Sequence, residues 1–170
     1  GAFDVLAAYE IQMAIMELRS RRGEKLVGLK MGFTSRAKMR QMGVEELIYG
    51  QLTDQMEIID GSEISLNQFI HPRVEPEIAF LLKSPLTGPI SLAAALRAVE
   101  AIAPALEIID SRYQDFKFDL PGVIADNASA SGFVLGPWCD PLQSFENLGL
   151  VMSFDGQPRQ FGSTAAILGN

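Results

Sequence analysis

The chain has one cysteine, one histidine and one tryptophan in 170 residues. A single cysteine, Cys139, closes no internal disulfide, which excludes a disulfide-framed scaffold and points to a reducing, cytoplasmic setting. Beside Trp138, it reads as a small buried hydrophobe rather than a nucleophile. The lone histidine would have to serve any Ser-His-Asp triad, but Ile70-His71-Pro72 suits a structural or surface residue better. Gly-x-Ser-x-Gly, Gly-x-Gly-x-x-Gly and the Gly-x-x-x-x-Gly-Lys phosphate loop are all missing, so hydrolase-elbow and nucleotide chemistry have no support. Basic residues are also scarce, 14 against 21 acidic, for a net charge of −7. That balance argues against nucleic acid and against an acidic membrane surface as partners. No apolar run approaches the roughly 20 residues of a membrane span.

The composition is otherwise that of a globular protein, 48% hydrophobic and 21% charged, with the length for one domain and not two. There is no internal repeat and no low-complexity linker. The chain opens on Gly1-Ala2-Phe3-Asp4 without an initiator Met and closes on the apolar Ala165 to Leu168 stretch before Gly169-Asn170. Truncation at both ends is therefore expected.

Residues 3–22 predict an amphipathic helix whose inner face is Leu6, Tyr9, Met13 and Met16, widened by Ile11, Ile15 and Leu18, with Gly23 as its stop. Residues 25–33 predict a strand with Val27, Leu29, Met31 and Phe33 on one face and Gly28, Lys30 and Gly32 on the other. Two glycines beside a lysine indicate a close approach there. Thr34-Ser35 caps a short helix from Arg36 to Met42, ended by Gly43. Tyr49-Gly50 begins a stretch read as turn-rich to Gly61. Residues 74–82 predict a strand that Pro76 confines to an edge or an irregular start. Ser91 caps a helix to about Ile102 with Leu92, Leu96 and Val99 inward, followed by a strand over 104–110. Asp126 to Gly132 reads as a polar turn, Phe133 to Leu135 as a short strand, and 148–162 as a hairpin around Asp155-Gly156. The mixture predicts an α+β domain with a mixed sheet.

Val74-Glu75-Pro76-Glu77 is the sharpest chemical feature. Carboxylates at i and i+2 of a strand share a face and can converge on one cation. Glu107 is the only ionisable residue in the apolar run from Ile102 to Ile109, so it needs a partner. Three carboxylates with no His or Cys favour a hard ion, Mg²⁺ or Mn²⁺. The competing reading puts Glu75 and Glu77 on a solvated face and pairs Glu107 with an arginine. Lys30, next to a helix start, is either an exposed strand lysine or one side of a carboxylate pocket.

Val27 to Ser35, Met42-Gly43-Val44 with Ile48-Tyr49-Gly50, His71 to Glu77, Pro104 to Asp110 and Ala125 to Ser129 follow one another in an order and at spacings that resemble the hydratase/decarboxylase branch of the fumarylacetoacetase superfamily. Asp110 to Leu120, Gly28 to Gly32 and Arg36 to Met39 are more similar to its decarboxylases than to its hydratases. The resemblance implies a mixed β-roll with flanking helices, organised as one incomplete catalytic domain with a helical part over 1–45 and a metal-binding sheet region over 46–170. It implies metal ligands at Glu75, Glu77 and Glu107, an active-site lysine at Lys30, and pocket roles for Asp54 and Ser129.

The expected activity is decarboxylation of a small anionic 2-oxo acid, 2-oxohex-3-enedioate, to 2-hydroxypenta-2,4-dienoate in the meta-cleavage breakdown of aromatic compounds. Mg²⁺ or Mn²⁺ would be the Lewis acid for the keto oxygen. Lys30 would hold the C1 carboxylate or enolate oxygen, and Arg112 would select the far carboxylate unless it simply pairs with Asp110 or Asp115. The alternatives are hydration of the dienoate and a non-catalytic metal-binding or assembly subunit. A homo-oligomer, with or without a partner hydratase, is also implied.

Overall fold

In the computed structural model, which describes residues 3–141 and 146–168, Asp4 caps helix α1 (Val5–Arg21) by accepting the Ala7 N–H. The terminal pairs Gly1-Ala2 and Gly169-Asn170, on which the expectation of truncation drew, lie outside the described residues. Strand β1 (Leu26–Gly32) follows, then α2 (Arg36–Met42), capped by Ser35 and ended by Gly43 in the left-handed region, as the sequence predicts. Next come β2 (Ile48–Thr53), the short β3 (Glu57–Ile58) and the long β4 (Arg73–Leu82). Helix α3 (Leu92–Ala98) runs directly into β5 (Val99–Ile109). Helix α4 (Leu120–Ala125), β6 (Ala130–Leu135) and the hairpin β7 (Gly149–Phe154) and β8 (Gln157–Ser163) complete the order.

The main sheet runs β3-β6-β5-β4, with β3 and β6 parallel and the other pairs antiparallel; β1 and β2 form a separate antiparallel pair. The domain is thus α+β with a mixed sheet. The β1–β2 ladder joins residues on both sides of the 45/46 division expected from the sequence.

Five local expectations are corrected. The buried face of α1 is Ala8, Gln12 and Met16, while Leu6, Ile11, Met13 and Leu18 are exposed. Close contact with α4 selects the small Ala8, which packs with Ile48, Val123, Ile124 and Ala128. Gln12 is tolerated there because its amide donates to the Tyr49 and Ile124 carbonyls. The start of the supposed turn-rich stretch is strand β2, which forms because β1 lies beside it. The Ser91-capped helix stops at Ala98 with Leu92 and Leu96 exposed, since pairing with β4 extends β5 back to Val99. Residues 126–132 are mostly buried: a left-handed turn over Asn127, Ala128 and Ser129 leads straight into β6. Cys139 is exposed rather than buried, its backbone bridging to Ile102 in both directions.

Candidate metal centre and active site

β4 is an edge strand, so Pro76 withholds no ladder hydrogen bond on its open side, and the flanking Glu75 and Glu77 project from one face. Register sets Glu75 directly opposite Glu107 of the central strand β5. One carboxylate oxygen from each of Glu75, Glu77 and Glu107 lies within 4.8 Å of the others. Like charges this close repel and need a cation.

Part of that charge is Lys30. The inner face of β1 is Gly28, Lys30 and Gly32, and the apolar Val27, Leu29 and Met31 point outward. Lys30 Nζ lies 3.0 Å from Glu107 Oε2 and donates to the Ala128 carbonyl at 3.1 Å, with both charged side chains nearly buried. The partner of Glu107 is therefore a lysine, not the arginine of the competing reading. The other oxygen, Glu107 Oε1, is buried without a hydrogen-bond partner, as is Ser129 Oγ.

One ammonium does not neutralise three carboxylates. Burial pushes Glu77 up to about 7, and the negative Glu107 and Glu75 add to the rise against the pull of Lys30. Glu107 is also raised, chiefly by burial, with Lys30 opposing. An orphaned buried oxygen inside an all-oxygen donor set fits a hard divalent cation.

The sequence-predicted residues divide. Lys30, Glu75, Glu77 and Glu107 come together. Ser129 is carried close by the turn whose Ala128 carbonyl binds Lys30, with its hydroxyl unpartnered. Asp54 does not join them. It lies just beyond Thr53, about 13 Å of extended chain from Gly50, the residue opposite Lys30. Its carboxylate accepts the Lys25 N–H, and its own N–H donates to the Lys25 carbonyl, so it closes the far end of the β1–β2 ladder.

Arg112 pairs with neither Asp110 nor Asp115. Its guanidinium meets buried Asp126, whose second oxygen takes the Arg112 N–H and the Ser111 hydroxyl. Asp110 instead accepts the backbone N–H groups of Ile70 and His71, and Asp115 pairs with Lys117. His71 is structural, bonded to the Ser111 carbonyl and stacked on Phe116.

Two neighbours of the site escaped sequence reasoning. Lys38 on α2 reaches Glu75 Oε1 at 3.9 Å. A lysine three residues past the Ser35 cap, on the helix that follows the Lys30 strand, was the available signal. Asn127 carries no such signal, because its partner Gln51 is 76 residues away.

Comparison with known proteins agrees with this geometry. Residues 30–170 match the family described as fumarylacetoacetate (FAA) hydrolase C-terminal. A 4-oxalocrotonate decarboxylase from a Pseudomonas species is 59% identical over 169 residues, covering 99% of this chain and 66% of that protein. A 2-hydroxypent-2,4-dienoate hydratase from Pseudomonas putida is 39% identical, covering 96% of this chain and 75% of its own. The solved 4-oxalocrotonate decarboxylase from Pseudomonas putida G7, complexed with magnesium and adipate, superposes with a TM-score of 0.93 at 43% identity, over 98% of this chain and 64% of that one. The chain thus spans about two thirds of the length of these decarboxylases. With the carboxylate cluster on the matched segment and the fold shared, the chain belongs to the fumarylacetoacetate hydrolase C-terminal family.

Proposed function

We propose that this chain forms the metal-binding core of a decarboxylase that converts 2-oxohex-3-enedioate into 2-hydroxypenta-2,4-dienoate and CO₂. The observation that carries the reading is the cluster of Glu75, Glu77 and Glu107 around a buried, unpartnered oxygen, with a buried lysine at its edge. The 59% identity to a 4-oxalocrotonate decarboxylase supports this substrate over the dienoate of the 39% identical hydratase.

Glu75, Glu77 and Glu107 would hold Mg²⁺ or Mn²⁺. When bound, that ion supplies Lewis acidity at the C2 keto oxygen. In the reaction the C5–C6 bond breaks and CO₂ leaves. The electron pair passes through the C3=C4 double bond to the C2 oxygen, where a proton completes the 2-hydroxydienoate.

Lys30 sets its ammonium beside this developing negative charge, where burial strengthens the attraction. The unpartnered Ser129 hydroxyl offers a donor to a substrate oxygen. Lys38, half exposed at the cluster's rim, is a cation for the far carboxylate, a role that the pairing of Arg112 with Asp126 makes less suitable for Arg112. Self-association, with or without a partner hydratase, belongs to the same reading and is tested by sedimentation of the longer protein alone and mixed with hydratase.

The deciding experiment incubates the longer protein containing this chain with Mg²⁺ and each substrate, following CO₂ and the dienoate absorbance. CO₂ from the diacid is expected. Water addition to the dienoate with no CO₂ from the diacid would favour the hydratase, and neither reaction would favour a non-catalytic subunit.

A further inference from the structure

We propose that Asn127 is a positioning residue for Lys30: its side-chain amide clamps a strained turn onto β2, and the turn's next carbonyl holds the ammonium against Glu107. The proposal rests on Lys30 being the charged group of the proposed reaction.

The turn is unusual. Asn127, Ala128 and Ser129 all have positive φ, at 54°, 50° and 59°. Asn adopts this region with little penalty, but Ala and Ser are disfavoured there. Such a segment persists only where its surroundings hold it.

The hold on its first residue is specific. Among the described residues, β2 pairs with β1 along one side only. On its open side Gln51 donates its N–H to Asn127 Oδ1 at 2.8 Å and accepts from Asn127 Nδ2 at 2.9 Å. The amide thus imitates a neighbouring strand's peptide group, using a donor and an acceptor at once. Aspartate would keep the acceptor and lose the donor; alanine would lose both.

Gly50 makes the approach possible. A Cβ there would run into the Asn127 carbonyl, and it would lie 3.1 Å from Lys30 Cδ. Gly50 is also the register partner of Lys30. The bare backbone of Gly50 therefore admits the turn and the lysine stem together. Ala128 then presents its carbonyl 3.1 Å from Lys30 Nζ, while Glu107 Oε2 lies 3.0 Å away. Two of the three ammonium donors are directed by the protein, which leaves the third for substrate.

The test uses the longer protein and two independent readouts. In the metal-free protein labelled with ¹⁵N-lysine, a hydrogen-bonded Lys30 ammonium should give a slowly exchanging NH₃⁺ signal, assigned by its loss in Lys30→Arg. Asn127→Ala should abolish that signal and lower kcat roughly 100-fold, the cost of displacing a reacting group by about 1 Å, with KM changed less than about twofold. Met16→Ala, a core truncation in α1, should lower the melting temperature while keeping the signal and kcat. Should Asn127→Ala not fold, Asn127→Asp is read in its place and should show the same losses. An unprotected Lys30 in the parent, or a folded Asn127 variant with signal and kcat intact, would overturn the proposal. So would equal losses in Met16→Ala. Absence of turnover in the parent would count against the proposed function alone, since the NMR comparison still decides the positioning role.

Discussion

Glu75 and Glu107 face each other across the β4–β5 ladder, two carboxylates in a register position where like charges normally destabilise a sheet. Glu77 adds a third on the same face, and Lys30 offsets only part of the total. Such a concentration of like charge is costly to the fold unless a cation offsets it, the role proposed above for a divalent ion.

The first concerns pH. Glu77 titrates near 7 in the folded protein and in the ordinary carboxylate range when unfolded. Between those values the folded state holds the extra proton, so metal-free stability falls as pH rises from about 4.5 to 7, by about 3 kcal/mol. Glu77→Gln should flatten this slope. Urea unfolding in chelator at stepped pH measures both.

Metal binding should release protons. With its pKa pushed up to about 7, Glu77 is partly protonated near neutral pH, and a ligand carboxylate must be ionised. Titrating Mg²⁺ calorimetrically in buffers of different ionisation enthalpy should show proton release on binding, and Glu77→Gln should reduce it while weakening affinity. Unchanged affinity would show that Glu77 is not a ligand.

Lys30→Met should be costly to stability as well as to turnover. A glycine-flanked strand lysine suggests little packing, yet Lys30 is buried against Glu107, and removing it leaves Glu107 uncompensated. Breaking such a pair costs about 3–5 kcal/mol. The loss should be largest in chelator and should shrink when Mg²⁺ is added, because the ion takes over neutralisation. Thermal unfolding with and without Mg²⁺ separates the two conditions.

Arg112 and Lys38 should part ways. Arg112→Ala exposes the need of buried Asp126 for a partner and should cost about 2 kcal/mol of stability. Its KM for the diacid should move little. Lys38→Met should leave stability nearly unchanged, since its contact with Glu75 is long and open to solvent, and should raise KM for the diacid more than for a monoacid analogue. Equal KM shifts for the two substrates would remove Lys38 from far-carboxylate recognition.

Gly50→Ala should be among the most damaging single substitutions outside the charged cluster. The added methyl meets the Asn127 carbonyl, backbone rather than a movable side chain. A drop of several degrees in melting temperature and loss of the Lys30 ammonium signal are expected.

The shared face of Glu75 and Glu77 was legible in the sequence because strand alternation is local, and an isolated charge in the Ile102 to Ile109 run demanded a partner; the β4–β5 register decided that Glu107 stands opposite Glu75. The caps at Ser35 and Ser91 and the hairpin at Asp155-Gly156 were legible too, each decided within a few neighbouring residues. Contacts between distant segments were decided only by the tertiary structure. Which face of α1 is buried depends on how closely α4 approaches, so Ala8 and Gln12 displaced the larger apolar stripe. The start of β5 depends on the length of β4, and β2 exists because β1 lies beside it. Arg112 found Asp126, Glu107 found Lys30, and Asn127 found Gln51 across 76 residues. Hydrogen bonds and ion pairs act over a few ångströms of space, and only chain folding determines which residues come within that range.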